Sequence, residues 1–208
     1  PPLVCLTVSG GHTDLLVIPR LGEYEILGRT RDDAAGEAFD KVARVLGLPY
    51  PGGPQIEKLA QGGDREAIAF PRGLLDGESL DFSFSGLKTA ALNYLNEARQ
   101  KEQEVPLADF AASFQWAIID VLTEKLMAAA EVHRVDKVIL SGGVAANRTF
   151  REHVAAEAAS RGLELLYPPV HLCTDNAAMI GSAGYFRYLA GQRSDYSLNA
   201  AANLRLGD

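Results

Sequence analysis

The sequence has only two cysteines, Cys5 and Cys173, among its 208 residues. Two thiols cannot form the disulfide framework that holds small secreted domains together. No apolar run approaches the roughly 18 residues that a membrane-spanning helix needs, and we recognise no secretory signal. These absences favour a reduced, cytoplasmic protein with no membrane span.

The sequence also lacks an excess of basic residues. It has 20 lysines and arginines against 27 aspartates and glutamates, a net charge of −7. Such an acidic chain binds nucleic acid poorly unless its basic residues cluster or a partner supplies positive charge. The 47% of apolar residues is typical of a globular protein with one large or two small domains. Because the chain begins Pro1-Pro2-Leu3 and enters an apolar run at once, we expect a fragment of a longer protein.

The residues that are present organise around one stretch, 138–148, which reads VILSGGVAANR. A β-branched apolar run ends in a turn of small residues, and a helical pattern begins at Asn147. The N–H groups of such a turn and of the following helix can bind an anion, and the missing side chains let a phosphate come close. The stretch therefore predicts a phosphate-binding turn.

A second Ser-Gly-Gly turn lies within residues 4–13, VCLTVSGGHT. The apolar residues 15–18 continue as another strand, so we interpret this turn as a hairpin tip. Two such turns at strand ends suggest a nucleotide held between two backbone loops. The alternative, that one or both are ordinary turns, stays open at this level.

The spacing of apolar residues predicts an ordered series of strands and helices. We predict strands at 3–8, 13–19, 24–30, 137–141 and 163–167, and helices from Asp32 or Asp33 to Leu46, over 54–61, 87–101, 106–133 and 147–161, and from about 175 to 189. The order β-β-β-α, helical insertion, β-α-β-α is that of a ribonuclease-H-like α/β unit, one lobe of the actin-like (ASKHA) ATPases. We assign residues 1–50 and 134–208 to this core and residues 51–133 to a helical insertion.

Six stretches carry unusual combinations of small, acidic and polar residues. They are SGGHT at 9–13, DDAAGEAFDK at 32–41, YPGGP at 50–54, DFSFSGLKT at 81–89, SGGVAANR at 141–148 and CTDN at 173–176. In this order, and over nearly the whole chain, they resemble the motifs of the TsaD family, the tRNA N6-adenosine threonylcarbamoyltransferases once labelled glycoproteases. The match is to the C-terminal part of such an enzyme, without its first lobe.

The resemblance implies a reaction and a set of binding residues. The family transfers a threonylcarbamoyl group from threonylcarbamoyl-AMP to N6 of adenosine 37 in tRNAs that read codons starting with A. By motif match, the phosphate and acyl end of the adenylate would be lined by Thr7, Val8, Ser9, Gly10 and Gly11. The nucleoside would be held by Asp40, Gly53, Glu57 and Asn147. The donor is an activated anhydride, so no protein nucleophile is needed, and the sequence identifies no general base.

The resemblance also implies one divalent metal ion, iron or zinc, with Asp175 as a carboxylate ligand. The family's two histidine ligands form a His-x-x-x-His pair ahead of the SGGH motif. None of the four histidines has a partner at that spacing; they are His12, His133, His153 and His171. We therefore expect this chain, taken alone, to be inactive as a transferase.

Several partners follow from the same resemblance. They are tRNA, a TsaB-like paralogue and a TsaE-like ATPase, and a second copy of the chain is a further candidate. Threonylcarbamoyl-AMP or ATP is the expected bound nucleotide.

Each residue singled out also has a structural interpretation. Asp33 and Glu37 suit the first turn of a helix, where acids are favoured, and Asp175 suits a helix N-cap. Asp40 could be a solvated helix residue, and Asn147 could simply start a helix. In the same way, His12 could bond the local backbone, and Phe82 and Phe84 could be core residues.

Other functions remain open from the sequence. A kinase or ATPase of the same fold could use the two turns to hold ATP, and a non-catalytic scaffold could retain the fold. A metalloprotease is disfavoured because the sequence has no His-Glu-x-x-His motif.

Overall fold

The computed structural model describes residues 1–75, 77 and 79–200. Its elements are β1 (Leu3–Val8), β2 (Thr13–Ile18), β3 (Glu25–Arg29), α1 (Ala35–Val45), α2 (Gly52–Leu59), α3 (Ser85–Gln100), α4 (Leu107–Val132), β4 (Lys137–Ser141), α5 (Arg148–Ser160), β5 (Glu164–Leu166) and α6 (Ala177–Leu189). Short 3₁₀ turns lie at Gly143–Ala146 and Val170–Leu172. Each predicted strand and helix is present in the predicted order, with ends shifted by a few residues.

The five strands form one sheet in the order β3-β2-β1-β4-β5. Strands β1, β2 and β3 make an antiparallel meander, and β4 and β5 continue the sheet in parallel from the other edge of β1. Parallel neighbours need crossover connections, which the helices before β4 and β5 supply. This topology confirms the predicted ribonuclease-H-like α/β fold.

The side chains of β1 enter two hydrophobic clusters, because successive residues of a strand point to opposite faces. Val4, Leu6 and Val8 pack into the larger cluster, and Leu3 and Cys5 pack into a smaller one on the other face. Burial on both faces explains why β1 is a nearly continuous apolar run.

Helix α4 lies against the sheet, although it belongs to the range predicted as an insertion. It contacts β1 and β4. Its Phe110 ring stands edge-on to Phe70 with centroids 5.5 Å apart, and Phe114 stands edge-on to Phe39 of α1 at 5.8 Å, both favourable aromatic arrangements. The described residues of 51–133 form helices and no strand of the sheet. The boundary between core and insertion stays a prediction.

The starts of two helices differ from expectation. Helix α1 has Ala34 as its N-cap, so the prediction that Asp32 or Asp33 caps it is wrong. Helix α6 is capped by Asn176, whose side-chain oxygen accepts a hydrogen bond from Met179 N–H at 3.2 Å, so the interpretation of Asp175 as the cap is also wrong. A cap residue must reach a first-turn amide from an extended backbone, and Asn176 does so.

Among the helices that the structure describes, none is both long and apolar enough to cross a bilayer.

Candidate nucleotide-binding site

Two glycine-rich turns leave the sheet side by side. Thr7 pairs with Ser141 at the ends of the parallel strands β1 and β4, so the residues that follow emerge at the same edge. Gly142 has a φ of +89°, and a Cβ there would lie 2.3 Å from the carbonyl oxygen of Val8. Glycine at this position therefore allows the two turns to touch. The carboxyl edge of an open α/β sheet is where such folds bind ligands.

The Ser9 side chain fixes the shape of the hairpin tip. Its hydroxyl accepts hydrogen bonds from the N–H groups of Gly11 and His12, at 3.3 and 3.1 Å. Ser9 N–H donates to the carbonyl oxygen of His12 at 2.8 Å. Gly10 and Gly11 are exposed, and a Cβ on either would meet no atom within 4 Å. The backbone at the tip is thus ordered and open to a ligand.

The first turn of α1 packs against this hairpin. Gly36 N–H donates to the carbonyl oxygen of Ser9 at 3.2 Å, and Ala35 N–H donates to the hydroxyl of Thr13 at 3.0 Å. Ala34 N–H is 3.4 Å from a carboxylate oxygen of Glu37, so Glu37 is the first-turn acid that its position suggested. Because protein groups take these donors, the start of α1 supports the tip and does not itself present an anion site.

Two carboxylates on α1 and α2 face neighbouring backbone. Asp40 Oδ1 accepts a 2.6 Å hydrogen bond from Gly52 N–H at the start of α2. Glu57 Oε1 accepts a 2.6 Å bond from Arg148 N–H at the start of α5. A Cβ on Gly53 would meet no atom within 4 Å, so the backbone there is open. Each carboxylate has a second oxygen for which the described residues provide no hydrogen bond.

Asn147 caps α5 and is buried. Its Oδ1 accepts from Phe150 N–H at 2.8 Å, and its Nδ2 donates to Gln115 Oε1 of α4 at 2.8 Å. Only 8% of Asn147 and 4% of Gln115 is exposed. The interpretation of Asn147 as a helix start is therefore correct, and its amide is committed to protein partners.

A cavity of about 370 Å³ opens between the end of α2, the start of α5 and the middle of α4. It is lined by Glu57, Ala60, Gln61, Gln115, Arg148, Thr149 and Glu152. Arg148 Nε is 2.6 Å from a Glu152 oxygen, so its charge is already paired. With two carboxylates and one paired guanidinium, the cavity suits a neutral polar group better than a phosphate.

The segment that carries Asp175 is held next to the second turn. A Cβ on Gly143 would lie 3.8 Å from Cγ2 of Thr174. Arg151 of α5 donates to the carbonyl oxygen of Ala145 and, at 2.8 Å, to that of Pro168, with Cys173 Sγ 3.0 Å away. Asp175 itself is exposed at the same edge of the sheet.

A family model described as "TsaD: tRNA N6-adenosine threonylcarbamoyltransferase" matches residues 1–182. The chain belongs to the TsaD family. A curated relative from Clostridium botulinum (strain 657 / Type Ba4), named tRNA N6-adenosine threonylcarbamoyltransferase, is 54% identical over all 208 residues, which are 61% of its own length. A relative of the same name from Clostridium perfringens (strain ATCC 13124) has the same identity and coverage. The chain thus spans about 61% of the length of the curated relatives it matches.

Solved structures support the fold. Full-length HypF in its phosphate- and nucleotide-bound form aligns with a TM-score of 0.67 at 14% identity, over 91% of this chain and 40% of HypF. HypF from T. kodakarensis aligns with a TM-score of 0.66 at 16% identity, over 91% of this chain and 34% of that one. At such low identity the likeness shows the fold alone, which is the actin-like ATPase class predicted from the strand order.

The TsaD-family positions lie in three groups at this edge of the sheet. Residues 7–11 form the end of β1 and the hairpin tip, where Val8 is fully buried and can offer a ligand only its backbone. Asp40, Gly53 and Glu57 lie on the α1–α2 pair, and Asn147 starts α5. Their roles toward a ligand stay predictions.

Asp175 is the one candidate ligand for the metal expected in a TsaD protein. Asp175 is available because Asn176 caps α6. Within the described residues, no three His, Cys, Asp or Glu side chains come together as a metal site. Among the histidines, His153 packs at 4.5 Å between ring centroids on Trp116 of α4, and His133 ends α4. The described side chains do not by themselves make up a metal centre.

Asp32 and Asp33, in the TsaD motif at 32–41, tie the start of α1 to the start of α3. Asp32 accepts hydrogen bonds from the hydroxyls of Ser83 and Ser85, at 2.5 and 2.6 Å, and from the N–H groups of Phe84 and Ser85. Partial burial raises the pKa of Asp32, but these bonds outweigh it and hold the pKa below its ordinary value. Asp32 therefore caps α3 from a distant part of the chain.

Asp33 lies between two lysines, Lys41 at 2.8 Å and Lys88 at 2.6 Å. Partial burial raises the pKa of Asp33. The hydrogen bonds and charges of the two lysines lower the pKa by more, so it lies below its ordinary value. The motifs at 32–41 and 81–89 thus meet in one polar cluster. Phe82 and Phe84 are almost fully buried, as their structural interpretation had it.

Sequence reasoning missed Gln115 and the first turn of α5 as cavity residues. One signal was available: a glutamine stands within the apolar stripe of α4, next to Phe114. Its partner Asn147 is 32 residues away in sequence, so only the fold shows why it is polar.

Proposed function

We propose that this chain is the adenylate-binding lobe of a tRNA N6-adenosine threonylcarbamoyltransferase. It would transfer the threonylcarbamoyl group from threonylcarbamoyl-AMP to N6 of adenosine 37 in tRNAs that read codons starting with A. The observation that carries this proposal is the pair of glycine-rich turns, meeting through Gly142 at the ends of β1 and β4 in a member of the TsaD family.

The phosphate and acyl end of the donor would lie at these turns. Gly10, Gly11 and Gly143 present backbone where no side chain blocks a ligand. The Ser9 hydroxyl takes the N–H groups of Gly11 and His12, so those of Gly10 and Gly143, which donate to no protein group among the described residues, would stabilise negative charge on a phosphate or on an acyl oxygen.

The nucleoside end would lie toward α2 and α5. The carboxylates of Asp40 and Glu57 each keep an oxygen that can accept from a ribose hydroxyl. The backbone at Gly53 is open, and Asn147 holds the cavity residue Gln115 through a hydrogen bond. The excess of carboxylate in the nearby cavity disfavours a phosphate there. This supports an orientation with the phosphate at the two turns and the nucleoside toward the cavity.

The reaction needs the donor and the N6 amine to be positioned, and it needs no protein nucleophile. The donor is a mixed carbamic–phosphoric anhydride, so the N6 amine attacks the carbamoyl carbon, the C–O bond to phosphate breaks and AMP leaves with the electron pair. N6 releases one proton, which passes to the departing phosphate or to water. A site that holds both reactants and the developing charge accelerates such a step. Iron or zinc, held in part by Asp175, would supply Lewis acidity toward the donor.

The proposed partners, in the cytoplasm, are tRNA, a TsaB-like paralogue and a TsaE-like ATPase. A second copy of the chain is a further candidate. With a net charge of −7, we expect most of the positive surface for tRNA to come from outside this chain.

The test combines the full-length protein with its partner proteins, unmodified tRNA and threonylcarbamoyl-AMP, and measures modified adenosine by mass spectrometry of digested tRNA. We expect N6-threonylcarbamoyladenosine at position 37. If tRNA is not modified, and the full-length protein without its partners hydrolyses ATP or phosphorylates a small molecule in a separate assay with ATP, the kinase or ATPase alternative is favoured.

A further inference from the structure

Gln115 is a polar side chain in an otherwise apolar part of α4. Its neighbours Phe114, Ala117 and Ile118 are fully buried, and Gln115 is itself only 4% exposed. Yet Gln115 is one of the residues that line the cavity of about 370 Å³ between α2 and α5. A buried amide that borders a cavity has a hydrogen-bonding end to satisfy there.

The hydrogen-bond chain fixes which end that is. Phe150 N–H can only donate, so the Asn147 atom that it meets is the oxygen. The other end of Asn147 is then its NH₂ group, which donates to the Gln115 oxygen. The remaining end of Gln115 must be Nε2, which carries two donors and accepts nothing.

The charged groups of the cavity do not duplicate this donor, and among its uncharged polar residues Gln61, Gln115 and Thr149 only Gln115 is buried. Glu57 and Glu152 are acceptors, and Arg148 is paired with Glu152. The acidic balance disfavours phosphate, and the second oxygens of Asp40 and Glu57 are assigned to the ribose hydroxyls. The remaining part of the nucleotide, which Gln115 would meet in the cavity, is its uncharged base.

We infer that Gln115 is a specificity-determining residue that donates a hydrogen bond from Nε2 to an unprotonated ring nitrogen of a purine base. Asn147 is the positioning residue that holds this donor in place. The inference deepens the proposed function, since it rests on an adenine nucleotide being bound at the two turns. Adenine offers three such nitrogens, N1, N3 and N7.

The test measures binding of AMP and of its 1-deaza, 3-deaza and 7-deaza analogues to the 208-residue chain by calorimetry. The variant Gln115→Met keeps the length of the side chain and removes the donor. Gln100→Met is the matched control, because Gln100 is an exposed glutamine at the end of α3 and does not line the cavity. Circular dichroism and melting temperature establish that each variant is folded.

For the wild-type chain we expect one analogue to bind about tenfold more weakly than AMP, the effect of one lost hydrogen bond. Gln115→Met should bind AMP more weakly by about the same factor, and the difference in affinity between AMP and that analogue should vanish. Gln100→Met should behave as wild type.

Two outcomes contradict the proposals separately. If Gln115→Met lowers the affinity for AMP and for all three analogues by the same factor, or lowers none of these affinities, Gln115 does not contact the base and the inference is wrong. If the folded wild-type chain binds no adenine nucleotide, the proposed nucleotide site itself is wrong.

Discussion

Gly142 and Gly143 stand next to each other but face different surroundings. Gly142 has a φ of +89° and no room for a Cβ beside Val8. At Gly143 a Cβ would meet only Thr174 at 3.8 Å, an ordinary contact. The first glycine is needed by the fold, and the second leaves space for a ligand.

We therefore predict opposite effects for two substitutions. Gly143→Val should leave the free energy of unfolding within about 1 kcal/mol of wild type and abolish AMP binding, because the side chain fills the space of the phosphate. Gly142→Ala should lower the free energy of unfolding by about 2 kcal/mol or more, through the left-handed backbone and the clash with Val8. Urea denaturation and calorimetry separate the two. Unchanged AMP affinity in Gly143→Val would remove the second turn from the site.

Asp32 gives a pH-dependent prediction. Its pKa is lower in the folded chain than its ordinary value. The ionised carboxylate therefore stabilises the folded chain above about pH 4, and this stability is lost as the pH falls through the lowered folded pKa. Asp32→Ala should cost about 1–2 kcal/mol at pH 7, as loss of a helix cap does, and less in acid.

Urea denaturation at several pH values measures this, with the exposed Asp136→Ala as control. An Asp32→Ala variant whose deficit stays constant from pH 7 to pH 3 would mean that the carboxylate's charge does not stabilise the α1–α3 connection.

At the scale of elements, α6 carries the largest group of exposed apolar side chains in the described part of the chain. They are Met179, Ile180, Tyr185, Phe186, Tyr188 and Leu189, and no residue of the helix is buried. A surface of this kind favours association. We expect the chain to self-associate in sedimentation velocity as its concentration rises.

The variant Ile180→Glu/Tyr188→Glu should shift the chain toward monomer. Val132→Glu changes a single exposed apolar residue at the end of α4 and should have no effect. Association that survives the α6 double substitution would place the contact elsewhere.

The order of the elements could be predicted from the sequence because it depends on local periodicity. Strands β1 and β4 read as apolar runs, and α4 as a repeated apolar stripe. The errors came where a partner is distant in sequence. Asp32 was assigned to the helix next to it, but its carboxylate bonds Ser83, 51 residues away. At α6 two adjacent residues could cap the helix, and only the backbone conformation selects Asn176 over Asp175.

The candidate site was predictable where motifs define it and not where the fold does. The two turns and the carboxylates Asp40 and Glu57 were named from the sequence. The cavity that Gln115 lines lies between α2, α4 and α5. These helices meet only after folding, so no local sequence pattern predicts the cavity.

At the scale of the whole molecule, we expect the 208-residue chain to bind an adenine nucleotide but to have almost no transferase activity. The sequence contains no His-x-x-x-His pair, and Asp175 is the one metal ligand that the family resemblance assigns to it. Stable catalytic metal sites use about three protein ligands. We expect the 208-residue chain with partner proteins, metal, tRNA and threonylcarbamoyl-AMP to modify adenosine 37 at under about 1% of the rate of a full-length relative, which is about 3 kcal/mol or more in transition-state stabilisation. A comparable rate would show that the metal assignment of Asp175 has no basis.

The central claim is that the two glycine-rich turns hold the phosphate of an adenylate. Its most direct test is a titration of the ¹⁵N-labelled chain with AMP, followed by the amide resonances in ¹H–¹⁵N spectra. We predict saturable shifts concentrated at Gly10, Gly11 and Gly143, with smaller ones at the start of α5. Shifts confined to other parts of the molecule, or none at saturating AMP, would contradict the claim.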